Sequence, residues 1–130
     1  MSNVHLSGKH AQTLLESFSD WGPMTTIVFS SGSVFEFKGP FPKGAVAHGY
    51  YNLKGAGDNA NAGFEGHLKL DAVASIALVD KLHRGARSLS FVFEDKNGEC
   101  IFKVFVGRDE HRELIASQVQ AFEQLKQTAR

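Results

Sequence analysis

The sequence is poor in the features that define several common protein classes. It has one cysteine, Cys100, three prolines and no apolar run near the ~20 residues that a membrane-spanning helix requires. A single thiol excludes an intrachain disulfide and a cysteine-based zinc knuckle. No basic segment followed by an apolar one stands at the N-terminus, so we expect a cytoplasmic protein that does not bind a membrane.

The sequence also lacks a surplus of charge of either sign. Lys and Arg together number 14 and Asp and Glu also number 14, which gives a formal net charge of zero. Without a cationic surplus the chain has little to neutralise a phosphate backbone, so we do not expect a nucleic-acid partner. A chain without net charge has weak colloidal repulsion, which favours self-association.

Apolar and aromatic residues are plentiful. The chain has 130 residues, 42% of them hydrophobic, and 11 of its aromatic residues are phenylalanine. This length fits one domain over residues 1–130, with a core of rings that need no hydrogen-bond partner.

Hydrophobic periodicity and turn residues predict two helices and seven strands. We expect a helix over residues 10–21, capped by Ser7, and a helix over 110–127 behind Asp109 as N-cap. Ser31-Gly32 and Asn97-Gly98 are typical hairpin turns, and residues 39–44 and 54–63 are expected to be loops. Strands with helices only at the ends predict an α+β fold, an antiparallel sheet meander with terminal helices. The predicted strands are 24–29, 33–38, 46–53, 64–70, 73–80, 86–94 and 99–106.

Catalytic signatures are missing from the sequence. It has no phosphate-binding glycine motif followed by Lys and Ser or Thr, no Gly-x-Ser-x-Gly elbow and no evident pair of catalytic carboxylates, so we expect neither a hydrolase nor a kinase. Histidine placement is more informative. Alternation puts Phe64 and Leu68 on the core side of their strand and His67 on the other side. His48 and Tyr50 share one face of the strand predicted over residues 46–53. For these positions, surface exposure and edge-strand packing are the alternatives to ligand binding.

Four segments resemble a known family. They are residues 37–44 (FKGPFPKG), residues 48–53 (HGYYNL), Gly66-His67 and residues 102–114 (FKVFVGRDEHREL). The resemblance runs from about residue 21 to 125 and is to the HutX/ChuX/HuvX family of cytosolic haem-utilisation proteins. It implies the HemS/ChuX-like fold.

The resemblance implies a cytosolic carrier or storage protein that accepts imported haem and passes it to a haem-degrading partner protein. It also implies a homodimer. Family members usually carry an N-terminal helical segment, and we expect this chain to be a shorter member without it. A carrier is expected rather than an enzyme. The alternatives are a haem-degrading enzyme and a dimer of the same fold that no longer binds haem.

The resemblance also implies the site residues. The histidine of the Gly-His motif falls on His67, which becomes the expected axial ligand of the haem iron, with Tyr50 or Tyr51 as the other candidate. His48 belongs to the same haem-contacting segment. A second family histidine aligns with Phe29, which cannot bind iron and would pack on the porphyrin. We therefore expect one protein ligand and a mainly high-spin ferric spectrum.

Overall fold

The computed structural model describes residues 4–54 and 63–129. Residues 55–62, most of the predicted glycine- and asparagine-rich loop, lie outside the described residues. The described part contains two α-helices and nine β-strands. The helices are α1 (Ala11–Phe18) and α2 (Ala116–Thr128), and the strands are β1 (Val4–Ser7), β2 (Pro23–Ser30), β3 (Ser33–Pro40), β4 (Gly44–Ala47), β5 (Tyr50–Leu53), β6 (Gly66–Lys69), β7 (Ser75–His83), β8 (Ala86–Glu94) and β9 (Cys100–Val106).

The strands form two antiparallel sheets. Six of them pair in the order β1-β7-β8-β9-β2-β3, and three pair in the order β4-β5-β6. The α+β class with antiparallel sheets is therefore confirmed. The order differs from a simple meander, because the β2-β3 hairpin joins the sheet beside β9 and β1 adds to its other side at β7.

The two hairpins predicted from short turns are confirmed. Ser31 and Gly32 both have positive φ, 49° and 86°, and connect β2 with β3. Gly98, at φ 78°, ends the turn between β8 and β9. A positive φ at these positions suits glycine, which has no Cβ to clash.

The single strand predicted over residues 46–53 is wrong. The structure has a hairpin there, with β4 and β5 pairing through Ala47 and Tyr50. His48 and Gly49 form its turn, with φ of 57° and 82°. Two consecutive residues of positive φ close a two-residue turn whose twist matches that of the strands. The Asn-Gly and Gly-Gly patterns that usually indicate such turns are absent here, so the sequence pattern predicted one continuous strand.

Two further predictions near the sheet edges are wrong in part. The loop expected over residues 39–44 is shorter, since β3 continues to Pro40 and β4 begins at Gly44. Proline is tolerated at the end of an edge strand, and β3 is an edge strand. The first predicted strand begins at residue 24, but the structure has an earlier one, β1, which pairs in register with β7.

The C-terminal helix begins later than predicted. α2 starts at Ala116 rather than at residue 110, and its N-cap position is Ile115. Asp109 does cap backbone amides, but those of a turn, because its carboxylate accepts hydrogen bonds from the amides of His111 and Glu113 at 2.8 and 3.0 Å. Aspartate side chains that bond their own turn compete with helix formation.

The core lies between the inner face of the six-stranded sheet and a second layer made of the helices and the three-stranded sheet. Phe91 of β8 packs edge-on against Phe122 of α2 and tilted against Phe18 of α1. Phe64, just before β6, stacks on Phe37 of β3 at 4.4 Å between ring centroids. Both sheets therefore bury one face in a shared aromatic core and leave the other outside.

A buried glutamine joins the C-terminal helix to the large sheet. Gln118 is 1% exposed, and its amide nitrogen donates to the backbone carbonyls of Trp21 and Pro23 at 2.9 and 2.8 Å. Its carbonyl oxygen accepts from the amide of Gly107 at 2.7 Å. A Cβ on Gly107 would lie 1.9 Å from the Pro23 oxygen, so only glycine fits there. Part of the 102–114 segment is thus explained by packing.

Candidate functional site

The candidate site lies on the outer face of the three-stranded sheet. In the register of β5 with β6, Asn52 stands opposite His67 and Tyr50 stands opposite Lys69. In the register of β4 with β5, Ala45 and Ala47 stand opposite Asn52 and Tyr50. We call these six residues the His67 face: Ala45, Ala47, Tyr50, Asn52, His67 and Lys69.

His67 projects from this face into solvent, as its strand alternation predicts. It is exposed, while its neighbour Leu68 packs against the core. Its Nδ1 lies 2.6 Å from Oδ1 of Asn52, within hydrogen-bond distance. The imidazole is therefore held from one side and open on the other.

Asn52 is a functional candidate that the sequence did not reveal. Its side-chain nitrogen donates to three backbone carbonyls, those of Ala45, Ala47 and Tyr50, at 3.2, 3.3 and 3.3 Å. Period-2 alternation places Asn52 beside Tyr50 on one face, but its pairing with His67 depends on a register across residues 54–63. That register cannot be read from the sequence.

Tyr50 lies beside His67 on the same face. It is 38% exposed, and its ring meets the imidazole edge to face at 6.3 Å between centroids. Tyr50 and His67 therefore project to the same side of the sheet, each as a candidate ligand.

Tyr51 points the other way. It is 1% exposed and belongs to the core, and a Cβ on Gly44 would come within 2.7 Å of its ring. Burial and then the nearby Glu16 carboxylate raise the pKa of the Tyr51 phenol, while a hydrogen bond from the Gly44 backbone acts in the opposite direction. The structure does not bring Tyr51 together with His67.

His48 and Phe29 also lie apart from His67. His48 occupies the β4-β5 turn rather than a strand face shared with Tyr50. Phe29, 41% exposed, belongs to the outer face of the six-stranded sheet, where the Lys103 ammonium lies 5.5 Å from its ring centroid. Since the inner faces of both sheets meet in one core, the outer faces carrying Phe29 and His67 point away from each other.

The donor set of the His67 face suits a planar ligand with a metal centre and acidic edges. An exposed imidazole can coordinate a metal ion, the two small alanine side chains leave space beside it, and Lys69 adds a cation on the same face. Three strands at ~4.8 Å spacing make this a small platform rather than a closed pocket. Fold and site together define an antiparallel α+β protein with an open histidine platform.

Comparison with known proteins gives the family. Residues 4–125 match the model of the family described as "Haem utilisation ChuX/HutX", and the chain belongs to this family. It is 50% identical over 122 residues to the intracellular heme transport protein HutX of Vibrio cholerae. That match covers 94% of this chain and 61% of HutX, so the chain spans under two thirds of this relative's length.

Solved structures support the same fold. The structure titled heme binding protein ChuX superposes with a TM-score of 0.86 at 34% identity, covering 98% of this chain and 77% of ChuX. ChuS, titled an E. coli heme oxygenase, superposes with a TM-score of 0.75 at 21% identity, covering 95% of this chain and 36% of ChuS. At that identity the likeness to ChuS shows the fold alone.

In the described residues, 4–54 and 63–129, neither helix has the length and apolar composition needed to cross a membrane.

Proposed function

We propose that this protein is an intracellular haem carrier that binds haem on the His67 face and does not degrade it. The observation that carries the proposal is the exposed imidazole of His67, held at Nδ1 by Asn52 and open at its other nitrogen. The names of its relatives support the ligand, since HutX is called a heme transport protein and ChuX a heme binding protein.

The residues of the His67 face fit haem by their chemistry. His67 supplies a neutral nitrogen ligand for the iron. Tyr50 offers an aromatic edge beside it, and Lys69 offers a cation for the haem propionates. An open platform also suits transport, because a carrier has to release its cargo, whereas a catalytic site gains from excluding water.

The same geometry supports a complex in which each chain supplies a single ligand to the haem iron. Tyr50 projects from the same face as His67, Tyr51 is buried, and Phe29 lies on the outer face of the other sheet. The ferric complex should therefore be mainly high-spin, with His67 bound and the sixth position open or held by water.

The proposal includes a homodimer and a haem-degrading partner protein. The outer face of the six-stranded sheet offers a surface for the second copy, because Phe29 and Val34 are exposed there at 41% and 54%. Two concavities of about 640 and 480 Å³ lie on this face, and Phe105 lines both. Delivery of haem to a degrading enzyme follows from a carrier that does not consume its cargo.

Titration of the apoprotein with haem, followed in the Soret band, tests the carrier function. Wild type should saturate at a defined stoichiometry, and His67→Ala should lose at least tenfold in affinity, about 1.4 kcal/mol, or change its band positions. His83→Ala is the matched control, because His83 is an exposed histidine at the end of β7 in the other sheet. Identical titrations of wild type and His67→Ala would overturn the assignment of the ligand.

The enzyme alternative is tested on the same complex. Haem bound to the wild-type protein, with a reductant and oxygen, should be lost no faster than haem in a protein-free control. Formation of a linear tetrapyrrole over several turnovers would overturn the carrier proposal in favour of degradation.

A further inference from the structure

We propose that Asn52 is a positioning residue that fixes the tautomer of His67, so that Nδ1 carries the proton and Nε2 presents a free lone pair to the solvent side. The relevance of this lone pair to haem iron rests on the proposed function. The tautomer itself does not, since it follows from hydrogen bonds within the chain.

The first step concerns the orientation of the Asn52 amide. Its Nδ2 faces the carbonyl oxygens of Ala45, Ala47 and Tyr50 at 3.2 to 3.3 Å. Rotating the amide by 180° would place Oδ1 against these oxygens, and acceptors cannot bond acceptors. The three carbonyls therefore direct the Asn52 oxygen towards His67.

The second step concerns the proton on the imidazole. The Asn52 oxygen only accepts hydrogen bonds, and it lies 2.6 Å from Nδ1 of His67. Nδ1 must then be the donor. A neutral imidazole carries one N–H, so Nε2 is left unprotonated. Neutral histidine in water favours the opposite tautomer, with the proton on Nε2, so the protein has to impose this one.

The third step concerns rigidity. Ala45, Asn52 and His67 lie side by side across β4, β5 and β6. Asn52 alternates along β5 with Tyr51 and Leu53, which are both buried. Asn52, which holds the imidazole, is thus fixed by its two buried neighbours in β5 and by its hydrogen bonds to the β4 carbonyls. Orienting partners of this kind commonly change metal affinity 10- to 100-fold when removed.

If Asn52 served only to hold the β4-β5 hairpin together, its replacement would have a different effect. Asn52 also links the β4-β5 hairpin through its amide nitrogen, and its loss could loosen that hairpin without any effect on the tautomer. Asn52→Ala removes both the link and the acceptor. Asn52→Asp removes the donor to the carbonyls but keeps an oxygen acceptor for Nδ1. The pair of variants therefore separates the two roles.

The test is nitrogen NMR of the histidine rings in the apoprotein of residues 1–130, at an alkaline pH where free imidazole is neutral. In wild type, His67 should show a protonated Nδ1 and an unprotonated Nε2. In Asn52→Ala the populations should shift towards the tautomer protonated at Nε2, while Asn52→Asp should keep the wild-type pattern. A wild-type His67 protonated at Nε2, or an unchanged tautomer in Asn52→Ala, would overturn the proposal.

Two further measurements complete the test. Backbone amide spectra report whether each variant retains the hairpin, so a tautomer retained in Asn52→Asp despite a loosened hairpin would count for positioning. Haem affinity should fall about tenfold or more in Asn52→Ala and less in Asn52→Asp. If wild type does not bind haem, the carrier proposal fails, while the NMR result on the tautomer stands or falls independently.

Discussion

The two sheets share one core, but their outer faces carry different side chains. The three-stranded sheet shows solvent a histidine, an asparagine, a lysine and two alanines. The six-stranded sheet shows Phe29 and Val34, with Lys103 over the Phe29 ring. The small sheet thus presents an oriented histidine, whereas the large sheet presents apolar side chains beside charged ones, Glu36 and Lys38, a mixture typical of protein interfaces. This difference is the basis of our proposal that ligand binding and self-association use different sheets.

The largest expected effect is a difference in stability between variants on the two faces of the three-stranded sheet. Tyr51→Ala should lower the free energy of unfolding by about 3 to 5 kcal/mol, because it removes a fully buried ring. Tyr50→Ala, on the outer face, should lower it by less than about 1 kcal/mol. Urea denaturation of both variants measures the difference. Equal losses would mean that the outer face is also buried in solution.

The next effect concerns the outer face of the large sheet. Phe29→Lys brings a second ammonium close to Lys103 and should weaken the proposed dimer at least tenfold, about 1.4 kcal/mol. Light scattering over a concentration series should give twice the chain mass for wild type and a shift towards monomer for the variant. Leu82→Lys is the control, since Leu82 is 72% exposed near the end of β7.

Haem titration of the same two variants sharpens the comparison. Both should bind haem as wild type does if ligand and partner use separate sheets. A monomeric wild type at all concentrations would contradict self-association, and a large loss of haem affinity in Phe29→Lys would contradict the separation of the two faces.

The smallest effect is an alkaline pH dependence of stability to which the inner tyrosine contributes, beside Cys100, whose pKa is also raised by burial. The pKa of Tyr51 is raised above its ordinary value of 10.0, mainly by burial. The unfolded chain then releases this proton first, so the contribution of Tyr51 to stability is complete below pH 10.0 and is lost as the pH rises through the folded-state pKa.

Tyr51→Phe should flatten this alkaline loss of stability. Thermal midpoints measured from pH 8 to 11 test it, with Tyr50→Phe as the matched variant on the outer face. An unchanged slope in Tyr51→Phe would show that another group titrates.

The sequence predicts local features of this fold better than it predicts partners between segments. β8 has the predicted bounds, and the Ser31-Gly32 and Asn97-Gly98 turns form as expected, because neighbouring residues determine them. The β4-β5 hairpin was missed, since positive φ at a residue other than glycine is uncommon, even though histidine adopts it more often than most residues do. The start of α2 was misplaced because the Asp109 turn satisfies the amides that a helix would use.

The candidate site shows the same limit. Alternation alone puts His67 on the outer face, and the family resemblance gives it a ligand. Asn52 could not be assigned, because its partner depends on the pairing of β5 with β6. The opposite orientations of Tyr50 and Tyr51 were not predicted, although alternation places Tyr50 with polar Asn52 and Tyr51 with apolar Leu53.

The Gln118 contacts have a consequence for the order of folding. The two partners of Gln118 lie 97 and 95 positions before it in the chain. The entropy of closing such a long loop therefore opposes these hydrogen bonds until both segments are already near each other. The β7-β8 and β8-β9 hairpins close much shorter loops and should form earlier. Docking of α2 should then be a late event, and pulsed hydrogen exchange at the Gly107 amide, which donates to Gln118, tests its timing.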